Sequence, residues 1–371
     1  MGARVIMIAG FPPPLNGVAR SSEAVLEALS QRGVDAQRLS ITTDTLGHTK
    51  SLRYHAHRFI RCAAVLLELV KLRTPGATVY VAPAAGHGIY YSFVHILWAS
   101  FLYHNVVLHH HTCQYVSEEN WIIRALLRLC GTRLTHIFLS SGMAERFQER
   151  YGTVKFLVAN NSALVRNEMC ETQGSRTASF PDTPLRIGHL SNLCRDKGFF
   201  IVADLFERLI EDQQNVELYL AGPALEPRVR ERIENLRTAH AGRVFYAGPL
   251  YGEEKSAFYR HLDVFVFPTQ FRQEAQPHVI YEALAAGTCV LATPRGCIPE
   301  MLWGARGATS PTDDAYVEFA ICTIADISHQ AHDAHNRRAA ILESLETEVA
   351  EAERQYERLY NLLGAPTRAQ I

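Results

Sequence analysis

The sequence predicts an α/β protein made of two doubly wound parallel sheets, and three observations carry that prediction. Short runs rich in Val, Ile, Leu and Phe alternate with helical patterns along the whole chain, the order that yields parallel strands joined by crossover helices. Between Glu168 and Pro184 the alternation gives way to ETQGSRTASFPDTP, a polar stretch with Gly, Ser and Pro that reads as a linker. A length of 371 residues is enough for two domains, each with its own core. The expected division is residues 1–180, residues 181–350 and a terminal helical segment, 351–371.

In the first domain, strands are expected at Arg4 to Ala9, Thr78 to Ala82, Asn105 to His109, Thr135 to Ser140 and Lys155 to Ala159. A second series follows at Leu185 to Leu190, Val216 to Ala221, Arg243 to Ala247, Asp263 to Phe267 and Thr288 to Ala292. Two such domains are expected to face each other across a cleft, with ligands at the carboxyl ends of the strands. From Asp313 to Leu363 the pattern is helical and rich in Ala, Glu and Arg.

Composition excludes several classes. There are 37 basic and 38 acidic side chains, so no net field favours nucleic acid. Eight cysteines (Cys62, Cys113, Cys130, Cys170, Cys194, Cys289, Cys297 and Cys322) are scattered without a C-x-x-C pair, which suits reduced thiols in a cytoplasmic protein better than a disulfide framework. MGARVIMIAGFPPP reads as a first buried strand rather than a signal peptide. Lys, Arg or His interrupts every apolar stretch before the roughly 20 residues needed to span a bilayer. The expectation is a cytoplasmic protein, soluble or peripheral on the inner face of the cell membrane.

The stretch richest in chemistry is QFRQEAQPHVIYEALAAG, Gln270 to Gly287, which follows the strand DVFVFPT. Pro277 suits the first turn of a helix whose buried stripe is Val279, Ile280, Ala283, Leu284 and Ala286. A helix start beside a strand end offers backbone N–H groups and positive dipole density to a phosphate. Two carboxylates flank it: Glu274 on the loop, and Glu282 inside the helix with its side chain leaning back towards the N-terminus. Acids beside a phosphate would repel it unless they have another task, and hydrogen bonding to sugar hydroxyls is the natural one. A nucleotide-sugar supplies both halves.

The segment E-AQPHVIY-E-ALAAG resembles the donor-site motif of glycosyltransferase family 4 and its GT-B relatives. The resemblance implies the GT-B fold, two Rossmann-like domains with acceptor binding in the first and the nucleotide-sugar in the second. It gives Glu274 the hydroxyls of the donor sugar and Glu282 the ribose, with the diphosphate near the helix start at His278 and Val279. It also implies a retaining hexosyl-type transfer from a UDP- or GDP-sugar, with no metal or other cofactor required. The loop EAQP resembles forms in bacterial polysaccharide-assembly enzymes, which implies a saccharide or lipid-linked acceptor in polysaccharide or surface-glycan biosynthesis. In GT-B proteins the last helix crosses back onto the first domain. Glu351 to Leu363 is read either that way or as a helix packed only on the second domain.

Other loops take roles from the same resemblance. After the first strand, Gly17 stands where the family has a Gly-rich loop against the donor phosphate, and a plain tight turn is the other reading. LHHHT matches a family pattern in which the second His faces the donor sugar, here His111 with His109 beside it. Strand alternation keeps His109, His110 and His111 from converging on one metal ion, and buried, hydrogen-bonded histidine is the alternative for His109 and His110. Lys197 precedes Gly198 at a helix start, where its ammonium can meet a diphosphate. The family's Arg six residues earlier is Ser191 here, and Arg195 is read either as a substitute cation reaching the same phosphate from the loop or as a surface charge. Gly222 is expected to let backbone approach the ligand, Leu250 and Tyr251 to flank the base, and Gly296 to allow a tight loop.

His55 to Arg73 and Ile89 to His104 are read either as ordinary core helices or as a basic amphipathic flank for an anionic membrane. Two further function classes stay open: a nucleotide-sugar epimerase of GT-B fold and a non-catalytic nucleotide-binding scaffold. A dinucleotide-dependent dehydrogenase is disfavoured because no G-x-G-x-x-G follows the first strand of either half.

Overall fold

The computed structural model describes residues 3–13, 16–41, 52–171, 183–330 and 333–366. Most of the predicted linker, residues 172–182, lies outside them. The chain forms two compact units, Met1–Leu164 with Glu351–Ile371, and Val165–Ala350.

The first unit runs β1 (Arg4–Ala9), α1 (Gly17–Gln31), β2 (Asp35–Ser40), α2 (Leu52–Lys71), β3 (Thr78–Val81), α3 (Ile89–Leu102), β4 (Asn105–His109), α4 (Gln114–Ser117), α5 (Trp121–Cys130), β5 (Leu134–Phe138), α6 (Ser141–Tyr151) and β6 (Phe156–Val158). Its strands form one parallel sheet ordered β2-β1-β3-β4-β5-β6. Val5 to Ala9 are all inaccessible to solvent, as expected of a parallel strand covered by helices on both faces.

The second unit runs α7 (Arg166–Glu171), β7 (Leu185–Leu190), α8 (Phe199–Glu211), β8 (Val216–Ala221), α9 (Pro227–Ala239), β9 (Val244–Tyr246), α10 (Gly252–His261), β10 (Val264–Phe267), α11 (His278–Ala285), β11 (Cys289–Ala292), α12 (Ile298–Met301), β12 (Gly307–Thr309), α13 (Tyr316–His329) and the first part of α14 (Ala334–Leu362). Its sheet is also parallel, ordered β12-β11-β10-β7-β8-β9.

The predicted strands form within a residue or two of their expected ends, and two strands were not expected. DAQRLS of β2 is polar because it is an edge strand, paired only with β1 and buried in none of its residues. β12 has only three residues and opens on Gly307, where an added Cβ would lie 1.9 Å from the Val290 carbonyl oxygen. In α14, Ile341, Leu345 and Val349 lie in the second unit's core, while Tyr356, Leu359 and Tyr360, with Leu363 just past the helix end, lie in the first unit's core.

Candidate active site

In the second unit, the loops at the carboxyl ends of the strands are held by close backbone contacts. Gly198 adopts φ +82°, where a Cβ would lie 2.1 Å from the Pro268 carbonyl oxygen. A Cβ on Gly222 would lie 1.8 Å from the Ser191 carbonyl oxygen, and one on Gly296 would lie 2.5 Å from that of Glu274. The Gln270 N–H donates to the Asp196 carbonyl at 2.8 Å, and the Cys297 N–H to that of Ala275 at 2.8 Å. Glycine at these points lets the loops after β7, β8, β10 and β11 lie backbone against backbone, which fixes the side chains they carry.

The loops carry one carboxylate centre, and helices α10 and α11 carry a second. The Lys197 ammonium donates to Glu274 Oε2 at 2.6 Å, and the Thr269 hydroxyl donates to the same oxygen at 3.2 Å. The ammonium also stands 4.6 Å from the centre of the Phe271 ring, a cation–π contact that limits where its charge can move. In the second centre Lys255 donates to Glu282 Oε1 at 2.7 Å, and the Tyr259 hydroxyl to Oε2 at 3.1 Å. The Glu282 side chain is only 3% exposed. Each carboxylate oxygen has two lone pairs, and both of these bonds to Glu274 fall on Oε2, so its Oε1 can still accept from a ligand hydroxyl.

The structure thus brings Lys197 and Glu274 into contact and holds Glu282 with partners that the sequence did not point to. Lys255 and Tyr259 went unnoticed because they reach Glu282 through tertiary packing, whereas Thr269 and Phe271 stand in the same loop as Glu274 and carried no motif signal. Pro277 is the N-cap of α11 rather than part of its first turn: its φ of −68° is helical but its ψ of 126° is extended. His278, the first helical residue, is buried and Val279 half-buried. Behind the helix, Gln276 donates to the Tyr281 hydroxyl at 3.1 Å and that hydroxyl to Glu348 Oε1 at 2.6 Å, while Glu348 also pairs with the fully buried Arg306.

Arg195 is exposed, its guanidinium carbon 5.5 Å from the Phe200 ring centre. Ser191, at the family's arginine position, is tied back into the sheet. The neutral His189 ring donates through Nδ1 to the Val266 carbonyl at 2.9 Å and accepts at Nε2 from the Ser191 hydroxyl at 2.8 Å. Burial pushes the His189 pKa down to about 4. Leu250 is half-buried against the second unit's core, and Tyr251 is 66% exposed at the N-cap of α10.

Two expected site residues lie in the first unit. Gly17 is the exposed first residue of α1, which Asn16 caps by accepting from the Ala19 N–H at 3.0 Å. His111 is nearly buried just beyond β4, its ring centre 4.0 Å from that of His109. His109 Nδ1 bonds the Tyr80 hydroxyl at 2.7 Å, whereas His110 bonds Tyr115 at 2.8 Å and His136 at 2.9 Å. His109 and His110 therefore have separate partners, with His110 and His111 just past the end of β4. Burial holds the His109 and His110 pKa values well below the usual histidine range. Among the described residues, no group of three or more His, Cys, Asp or Glu is placed to hold a metal ion.

Residues 184–326 match the family model described as glycosyl transferases group 1. No curated protein matches the sequence. Among solved structures, a glycosyltransferase from Rickettsia africae superposes with a TM-score of 0.68 at 13% identity, covering 98% of each chain. Anabaena HepE in complex with UDP-glucose gives 0.60 at 17% identity, over 95% of this chain and 99% of that one. Sucrose-phosphate synthase from Thermosynechococcus elongatus gives 0.64 at 16% identity, over 97% and 100%. The chain has the GT-B fold, and the segment that matches the glycosyl transferases group 1 model contains Lys197, Glu274 and Glu282.

Proposed function

We propose that this chain is a glycosyltransferase that moves a sugar from a UDP- or GDP-sugar to a saccharide or lipid-linked saccharide in polysaccharide or surface-glycan assembly, with retention of configuration and no required metal. The observation that carries the reading is the 2.6 Å contact between Lys197 and Glu274 within the matched segment. In a nucleotide-sugar the diphosphate and the sugar are one bond apart, so a cation and an acid in contact are spaced for both. On this reading Lys197 and the start of α11 stabilise charge on the departing diphosphate, Glu274 accepts from sugar hydroxyls and Glu282 from the ribose. UDP-glucose in the HepE structure favours UDP as the first donor to try.

A thermal-shift screen of UDP, GDP and their sugars tests the donor, because a ligand that binds only the folded chain raises its melting temperature. At least one nucleotide should stabilise the protein, and Glu282→Gln should reduce that shift. A chain indifferent to all of them contradicts the reading. Interconversion of the sugar without any acceptor would favour an epimerase instead.

A peripheral membrane contact belongs to the same proposal. α2, α3 and α5 expose Phe59, Ile60, Leu67, Trp98, Phe101 and Trp121, with Phe101 77% exposed, and α2 and its end carry Arg61, Lys71 and Arg73. Interfacial aromatics beside basic residues suit an anionic lipid surface. No helix among the described residues is long and apolar enough to cross a membrane. Co-sedimentation with phosphatidylglycerol vesicles should be strong at low salt and weak at high salt. Failure to co-sediment at low salt removes the membrane contact.

A further inference from the structure

Helix α10 carries Lys255 and Tyr259 four residues apart, which puts both side chains on one of its faces. That face runs from half-exposed Lys255 to buried Tyr259, and it is turned to α11. Lys255 donates to Glu282 Oε1 at 2.7 Å and Tyr259 to Oε2 at 3.1 Å. The far end of α10 is pinned as well, because the Thr288 hydroxyl just before β11 donates to the Tyr259 carbonyl at 2.8 Å. At the other end, Tyr251 is the exposed N-cap. One helix therefore joins the loop after β9 to the acid on α11.

Lys255 stands where the helix itself does not favour it. It is the fourth residue of α10 and follows Glu253 and Glu254 in the first turn. Acids suit that positive end of the helix dipole and a cation does not. The compensation is Glu282, whose side chain is only 3% exposed against 21% for that of Lys255. A carboxylate so deeply placed is costly without a countercharge. For the fold alone, however, an apolar pair of similar volume commonly serves as well as a buried ion pair. A pair that gains the fold little points to a use for the charge.

That use follows from what the two donors do to the carboxylate. One bonds each oxygen, so together they fix the plane of the group, and the ammonium supplies the charge that balances it. An ionised acceptor makes a shorter and stronger hydrogen bond than a neutral one. Its two oxygens lie side by side, as do the 2′ and 3′ hydroxyls of a ribose.

We propose that Lys255 is a positioning residue for nucleotide recognition: its pairing with Glu282 makes that carboxylate a reader of both ribose hydroxyls, so that the chain takes a ribonucleoside diphosphate and discriminates against the 2′-deoxy form. The proposal rests on the reading of Glu282 as the ribose contact. It adds the residue that gives this contact its strength and the selectivity that results.

The test measures binding of UDP, GDP, their 2′-deoxy forms and inorganic pyrophosphate to the full chain by calorimetry. The parent should bind UDP or GDP about tenfold or more tightly than the matching 2′-deoxy nucleotide, the ratio set by one hydrogen bond to a charged acceptor. Lys255→Met should bring that ratio close to one and leave pyrophosphate affinity near that of the parent. Lys255→Gln keeps a donor without the charge and should narrow the ratio too, which secures the test if Lys255→Met does not fold. Lys255→Arg should restore most of the preference. A lysine that serves only the fold would instead weaken all of these ligands together, and that result overturns the proposal. So does a full ribose preference in folded Lys255→Met or Lys255→Gln, which would leave the donor reading standing. A parent that binds UDP and 2′-deoxy-UDP equally takes the ribose off Glu282 and the proposal with it. A parent that binds neither UDP nor GDP sinks the donor reading as a whole.

Discussion

Lys197 holds the account together at the scale of single residues. Its ammonium is 2.6 Å from Glu274 and caged by the Phe271 ring, so removing it takes away both the charge proposed for the leaving diphosphate and the partner of a nearly buried acid. A preorganised donor of this kind is worth about 3 to 4 kcal/mol to a transition state. Lys197→Ala should therefore lower turnover about 100-fold or more, and single-turnover kinetics on protein shown to be folded would check it. Glu274→Gln should impair sugar transfer while leaving UDP or GDP affinity close to that of the parent, because its proposed partner is the sugar. Nucleotide affinity lost with Glu274 and kept with Glu282→Gln would reverse the roles. The two acids could be read from spacing and from the strand before them. Their partners could not: Lys255 and Tyr259 lie 27 and 23 residues from Glu282, and no local pattern predicts such pairings.

Among the elements, α11 depends on a network that no motif announced. Tyr281 and Arg306 both reach Glu348 on α14, and Arg306 is wholly buried. Taking away the acid leaves a buried guanidinium short of its anion, at a cost of about 3 to 5 kcal/mol. Glu348→Ala should lower the melting temperature accordingly and loosen α11, which denaturant titration and hydrogen exchange of α11 amides would show. Stability equal to the parent would mean that Arg306 is satisfied without Glu348. Most strands were legible because a parallel strand covered on both faces is a continuous apolar run, as in RVIMIA and VFVF. The edge strand β2 escaped notice because its residues are only partly covered and stay polar. β12 was too short to carry a period.

At the scale of the whole molecule, several histidines are buried as neutral rings. His95, His136 and His189 are each depressed by burial to about 4, against about 6.5 in an unfolded chain. Between those values the unfolded chain binds more protons than the folded one. Their contribution is thus complete above about pH 6.5, shrinks as pH falls and is gone near pH 4, each ring being worth on the order of 1 to 3 kcal/mol. Denaturant midpoints should fall steadily from pH 7 to pH 5, and a flat profile would contradict the burial. The GT-B fold was legible from alternation and length together with the E-AQPHVIY-E segment. The most direct test of the central claim is a crystal structure of the chain with the nucleotide that stabilises it best. The account predicts the ribose on the Glu282 carboxylate and the diphosphate between Lys197 and the start of α11; a nucleotide bound away from both would contradict it.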